Sequence, residues 1–215
     1  MVIRDAIYAG KLPGPRYLAN CKEITHPQDA VGQNGLAAVA DGPDEMRSVV
    51  NRHIDIGADT VKLTMSGEEI CEPLSSEKCY YSDEETAACV EVAHGRGTRL
   101  CAHARYAAYF KSRIDCSNHD VPHRARDSVK MCVKHGVDII FHASWTDEEG
   151  LDMLERNKTK HMVVPAINWL YATLYESESY GYKMSDEERD GYEREFTKAK
   201  EVLSEMHRRG ITVLP

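Results

Sequence analysis

The sequence is organised around the stretch Asp59-Thr60-Val61-Lys62-Leu63-Thr64-Met65-Ser66-Gly67-Glu68, which predicts a buried strand followed by a turn. Lys62 stands inside the apolar run, although lysine is almost never fully buried without a partner. Two later apolar runs carry His103 and His142 in the same way. The three polar residues lie 41 and 39 positions apart, about one strand and one helix each. We therefore expect three neighbouring strands of one sheet whose carboxyl ends converge.

Helices alternate with strands along the rest of the chain, which predicts a parallel sheet with helical crossovers. No Gly-rich nucleotide-binding turn occurs, and polar residues at successive strand ends favour a barrel over an open sheet. The predicted fold class is α/β, a partial (β/α)8 TIM barrel of about six strands forming one domain over 1–215. Helices are predicted at 2–10, 43–56, 83–94, 127–136, from 144 onward and at 186–209, and further strands at 16–19, 161–166 and 211–214, with 20–43 as loop.

Composition limits the classes of partner. The 215 residues carry a net charge of −8 with a pI near 5.7, which argues against nucleic acid or an anionic membrane as partner and favours a small-molecule substrate. Seven cysteines occur without a CxxC pair, which predicts reduced thiols in a cytoplasmic protein and excludes a cysteine zinc site.

One lysine and two histidines at a barrel mouth indicate a metal site, since neutral imidazole is a ligand for zinc and related ions. Lys62 becomes an oxygen donor only if its neutral amine adds carbon dioxide to form a carbamate. Two alternatives remain open for these residues. In the first, Lys62 is the Schiff-base nucleophile of a barrel lyase. In the second, all three residues are purely structural: the histidines are hydrogen-bonded core residues, and Lys62 is half of an ion pair.

Three segments of the chain resemble the amidohydrolase superfamily, in its branch of imidazolonepropionase-like hydrolases and metal-dependent dipeptidases. They are Val61–Gly67, the Glu91–Gly97 segment before Cys101-Ala102-His103-Ala104, and His135–His142. The resemblance implies a metal-dependent hydrolase of C–N bonds, whether amide, cyclic amide or dipeptide-like. It implies that Lys62, once carboxylated, bridges two Zn²⁺ ions and that His103 and His142 bind one of them.

The sequence departs from that family at two points. No His-x-His pair occurs anywhere in it, and the strand-8 aspartate that serves as general base would follow 211–214, where the chain stops. We therefore expect a fragment corresponding to about strands 3–8, weakly active or inactive alone, with no catalytic base assigned. The remaining alternative is a non-catalytic remnant of a hydrolase, whose exposed sheet edges would favour a homo-oligomer.

Four residues are predicted to contact substrate. Arg105 follows His103 by two positions and is interpreted either as a contact for a substrate carboxylate or as half of a surface salt bridge. Tyr80 and Tyr81 lie on the loop after the lysine strand, where a barrel keeps its substrate contacts. Asn168 follows the strand predicted at 161–166.

Residues 106–126 form a predicted insertion, because relatives would pass from Arg105 almost directly into the helix at 127. The segment is polar and aperiodic and includes His119 and His123, which are candidate substitute ligands if it is a functional loop. We favour an insertion such as retained intron sequence. Sequencing the transcript tests this: we expect a message without codons 106–126, and a message that contains them contradicts the prediction.

Overall fold

A computed structural model describes residues 1–33, 35–68, 75–106 and 127–214. Its centre is a sheet in which every pairing is parallel and the strands follow the order β2-β1-β3-β4-β5-β6. Beyond β6, Val213 forms a single parallel bridge with Val163. The predicted α/β class and partial barrel are confirmed. The strands are β1 Ile24–Thr25, β2 Ala38–Val39, β3 Thr60–Thr64, β4 Arg99–Tyr106, β5 Ile139–Trp145 and β6 Met162–Val164.

Helices cover one face of this sheet. The local sequence determines where the helices begin and end. Ser82 and Ser185 each form a capping box, and Gly136 ends a helix in the left-handed conformation. The helices are α1 Val2–Tyr8, α2 Ala30–Gln33, α3 Pro43–Asp55, α4 Asp83–Gly95, α5 Ser128–His135, α6 Glu148–Arg156, α7 Ile167–Glu176 and α8 Asp186–Arg208, with 3-10 turns at Ser75–Glu77 and Ser177–Tyr180.

Strand alternation separates the two faces of the sheet. Positions such as Val61, Leu63, Leu100 and Ala102 are fully buried and join one apolar core with residues of the covering helices. The intervening positions point to the opposite face. There, Lys62 pairs in register with Cys101, and Thr64 pairs with His103. The register therefore places the lysine and the first histidine on one face, with their residue pairs two positions apart.

The structure corrects three predictions. No strand forms at 16–19; instead the Ala19 carbonyl accepts the Asp59 backbone N–H, and the Ala19 N–H donates to the Asp59 carboxylate. The segment 20–43 contains β1, α2 and β2 rather than loop alone. The strand predicted at 161–166 is shorter, and α7 begins at Ile167, where no helix was predicted. Short strands are set by pairing with neighbours, which local patterns do not reveal.

None of the helices in the described ranges has the length and apolar content to cross a membrane. Cysteines 21, 79, 89, 101 and 132 are free thiols, as the sequence predicts for them.

The capping box of α8 gives a stability prediction. Ser185 Oγ accepts the Glu188 backbone N–H at 3.2 Å, and Glu188 Oε2 accepts the Ser185 N–H at 2.7 Å. We expect Ser185→Ala to lower the free energy of unfolding by about 1 kcal/mol, measured by urea denaturation. The matched control is Ser204→Ala, at an exposed position near the carboxyl end of the same helix, where alanine is a better helix former. Equal losses in both variants would contradict the capping assignment.

Candidate metal centre

His103 and His142 meet at the carboxyl end of the sheet. His142 Nε2 lies 3.2 Å from His103 Nδ1, and the ring centroids are 4.3 Å apart. Both side chains are buried. The structure therefore brings together the two histidines that the sequence predicts as metal ligands.

A break in strand alternation lets His142 reach His103. His103 is in register with Phe141, so regular alternation would turn His142 to the helix-covered face along with its partner Ala104. Instead His142 and Ala143 have φ of 70° and 53°, and the register shifts between Ala104 and Tyr106. Left-handed backbone at non-glycine residues is costly and concentrates at functional sites. The irregular end of β5 thus places the second imidazole.

Glu68 is the third potential ligand at this position, and the sequence reasoning missed it. Its Oε1 lies 3.4 Å from His103 Nε2. The turn that carries it is tightly fixed: Ser75 Oγ donates to the Glu68 carbonyl, and a Cβ on Gly67 would lie 2.6 Å from Ser75 Cβ. Only glycine fits this approach, so Gly67 directs Glu68 towards the histidines.

Arg105 is fully buried between two carboxylates. Its Nη2 lies 2.8 Å from Glu68 Oε2, and its Nη1 donates to Glu195 Oε2 at 3.0 Å. Glu195 belongs to α8 and also accepts the Ser144 hydroxyl at 2.8 Å. Arg105 therefore forms a buried ion-pair network that joins the turn after β3, β4, β5 and α8, and its contact with a substrate carboxylate remains a prediction.

Burial sets the protonation of the histidine pair. It lowers the pKa of His103 well below its ordinary value, helped by nearby His142 and Arg105. The pKa of His142 is lowered likewise, by burial and then by Arg105 and Lys62. Both imidazoles are therefore neutral near pH 7, which is the form that binds metal ions.

Lys62 lies on the same face of the sheet, and its side chain contacts an aromatic ring. Its Nζ lies 4.1 Å from the centroid of the Phe141 ring, and among the described residues no carboxylate pairs with it. Burial lowers the pKa of Lys62, against the opposing influence of Cys101 and Glu23. A cleft of about 460 Å³ opens beside Lys62, Cys101 and Phe141. A lowered pKa favours the neutral amine that carbamate or Schiff-base chemistry requires.

The donor set fits a divalent transition metal ion. One atom each from Glu68, His103 and His142 lie within 4.8 Å of one another, and two imidazoles with a carboxylate suit zinc or iron. A second cluster, His26 with Asp41 and Glu85, fits less well. Both Glu85 oxygens accept hydrogen bonds from Gly42 or Ser82 at the start of α4, and Asp41 is exposed.

The other predicted substrate contacts are dispersed. Tyr80 and Tyr81 are buried against the His26 ring, with Tyr81 inside the apolar core. Asn168 is exposed in the first turn of α7. His119 and His123 and the predicted insertion from 107 onward lie outside the described residues. The contact of Tyr80, Tyr81 and Asn168 with substrate therefore remains a prediction.

Glu68, Ser144 and Glu195 were not singled out from the sequence. Glu68 ends the stretch around Lys62. It directly follows Gly67, in the turn after β3, and this position is a signal that could have identified it. Glu195 lies in the middle of a polar helix, where nothing local separates it from its charged neighbours.

The fold of the chain is similar to that of several solved hydrolases of the amidohydrolase type. The chain is similar to a Xaa-Pro dipeptidase with bound methionine, with a TM-score of 0.76 and 25% identity over 99% of this chain and 50% of that one. It is similar to an amidohydrolase, with a TM-score of 0.77 and 23% identity over 99% and 50%. It also resembles A. niger ochratoxinase, with a TM-score of 0.77 and 18% identity over 99% and 48%.

The amidohydrolase resemblance predicted from the sequence is thus confirmed, and the chain spans about half the length of the solved structures it matches. No protein-family model matches this chain, and neither does a curated protein sequence.

The buried network gives a stability prediction. Glu195→Ala leaves the Arg105 guanidinium buried with only one of its two carboxylates, and breaking a buried pair in this way costs about 3 kcal/mol of unfolding free energy. The control is Glu193→Ala, exposed on the same helix, which should change stability by less than about 0.5 kcal/mol. Chemical denaturation measures both. Equal effects would mean that the Arg105–Glu195 pair contributes nothing specific.

Proposed function

We propose that this chain is part of a metal-dependent hydrolase of C–N bonds and that it carries the histidine half of the metal site. The observation that supports the proposal most directly is the His103–His142 pair, buried and neutral beside a carboxylate at the carboxyl end of a parallel sheet. In barrel enzymes that end of the sheet carries the active site. The fold shared with amidohydrolase-type hydrolases supports the reaction class.

The proposed substrate is an amide or dipeptide-like molecule. Two of the similar structures are a Xaa-Pro dipeptidase and a prolidase in complex with N-methylphosphonate-L-proline. A dipeptide offers both the C–N bond and a terminal carboxylate. Arg105, Tyr80, Tyr81 and Asn168 remain the proposed contacts for such a substrate, and of these only Asn168 is exposed.

The residues of this chain hold and orient the metal. Zinc bound here would supply Lewis acidity and would lower the pKa of a water molecule into the neutral range. His103 and His142 supply nitrogen donors in the neutral form, and Lys62 would supply oxygens if carboxylated. Burial of the pair excludes bulk water from the imidazoles and so strengthens their interaction with a cation.

A second candidate function rests on Lys62. Its lowered pKa and the cleft of about 460 Å³ beside it also suit a lysine that forms a Schiff base with a carbonyl substrate. This lyase would need no metal, and borohydride would trap its substrate on Lys62. A non-catalytic remnant would show neither reaction.

The test loads the purified chain with Zn²⁺ in bicarbonate buffer and measures hydrolysis of Xaa-Pro dipeptides, N-acyl amino acids and cyclic amides. We expect slow hydrolysis above the uncatalysed rate, lost on chelation of the metal. His142→Asn should lower the rate by more than the roughly 10- to 100-fold that loss of an outer-shell partner costs. The matched control is His94→Asn, because His94 is surface-exposed and pairs with Asp138 instead.

Three outcomes contradict the proposal. Hydrolysis that persists after chelation, or is equal in the two histidine variants, does not come from this metal site. Borohydride labelling of Lys62 in the presence of a carbonyl substrate supports the lyase. A chain that binds no Zn²⁺ and hydrolyses none of the three substrate classes supports the non-catalytic remnant.

A further inference from the structure

We propose that Glu68, His103 and His142 bind one divalent metal ion without Lys62 and without carbon dioxide. The inference rests on the proposed function in taking the histidines as ligands, and it goes further in assigning the oxygen ligand. In the family that the sequence resembles, that oxygen comes from a carboxylated lysine. In this chain the structure places a protein carboxylate beside the same imidazoles.

The distances already approach those of a metal site. Zinc bonds of about 2.0–2.1 Å place neighbouring donors of a tetrahedral site about 3.3 Å apart. One donor atom from each of Glu68, His103 and His142 lies within 4.8 Å of the others. His103 gives an ion only one ring nitrogen: Nε2 lies 3.4 Å from Glu68 Oε1, and Nδ1 lies 3.2 Å from His142 Nε2. The three donors must therefore move closer together to bind one ion.

The two imidazoles each have a nitrogen without a hydrogen bond. His103 Nε2 and His142 Nδ1 have no hydrogen-bond partner among the described residues, and the two residues are only 6% and 9% exposed. A buried polar atom without a hydrogen bond is unfavourable, so such atoms indicate a partner that the described residues do not provide. A metal ion bound between the histidines and Glu68 is such a partner.

Arg105 holds Glu68 in place for this role. Its Nη2 lies 2.9 Å from Glu68 Oε1 and 2.8 Å from Oε2. Carboxylate ligands of metal ions are themselves commonly fixed by hydrogen bonds from a second layer of residues. The guanidinium is in turn held by Glu195 of α8. Glu68 therefore has the support expected of a ligand, although its negative charge is shared with Arg105.

Lys62 is engaged elsewhere. Its Nζ lies 4.1 Å from the centroid of the Phe141 ring. It is in register with Cys101, two positions before the pair formed by Thr64 and His103. Lysine becomes an oxygen ligand only after its amine has added carbon dioxide, whereas Glu68 is already a carboxylate.

The experiment titrates Zn²⁺ into the purified chain by calorimetry, in argon-purged buffer free of bicarbonate. We expect one ion per chain. Glu68→Gln should weaken binding by more than about 100-fold, because it removes a ligand rather than an outer-shell partner. Lys62→Met should bind as the native chain does. Co²⁺ provides a second readout, since its visible absorption reports the ligand set and should change in Glu68→Gln but not in Lys62→Met.

Glu195→Gln is the matched control, because it removes the other negative charge that contacts Arg105 while leaving all three ligands. It should bind Zn²⁺ like the native chain. Equal weakening in Glu68→Gln and Glu195→Gln would show that Glu68 only balances the charge of Arg105 and would overturn the proposal. Far-UV circular dichroism confirms that each variant is folded, and His103→Asn, which must also lose binding, is the second test of the same site.

The two proposals fail differently. If binding requires bicarbonate and is lost in Lys62→Met while Glu68→Gln binds normally, the Glu68 site is wrong and the carboxylated-lysine site stands. If zinc binds in the Glu68-dependent way but hydrolysis persists after chelation of the metal, the metal-dependent hydrolase is wrong and the metal site stands.

Discussion

The buried guanidinium of Arg105 is the constraint on which the carboxyl end of this sheet depends. A charge with no exposed surface requires carboxylates nearby, and Glu68 and Glu195 supply them from the turn after β3 and from α8. To meet Arg105, the turn must fold over the end of β4 and the long helix must lie across β5. The same geometry places Glu68 beside His103. The ion-pair network of Arg105 and the proposed metal site therefore share Glu68.

The histidine pair depends on a second constraint, the local break of β5. A regular parallel strand would place His103 and His142 on opposite faces, because His103 is in register with Phe141 and His142 is the next residue. The left-handed conformations of His142 and Ala143 rotate the second imidazole back. Strain of this kind persists only where the surroundings hold it, and here β5 is held by its neighbouring strands and by Ser144, which donates to Glu195.

Much of the fold was predictable because its signals are local. Helix starts at Ser82, Asp127 and Ser185 follow from capping chemistry, and the β3, β4 and β5 strands follow from apolar runs between helices. β1 and β2 were not predicted, because a strand of two residues has no periodicity to detect. They form only by pairing with neighbouring strands. α7 escaped because its apolar first turn continues the pattern of the strand before it.

The sequence by itself determined the α/β alternation, the resemblance to amidohydrolases and the identity of three polar residues at strand ends. Each of these depends only on residues that are close together in the chain. Only the tertiary structure decided which of them meet. It joined His103 to His142, turned Lys62 towards Phe141 and brought Glu68 and Glu195 to Arg105 across 37 and 90 positions of sequence. Such contacts depend on strand register, backbone strain and helix packing, which no local pattern specifies.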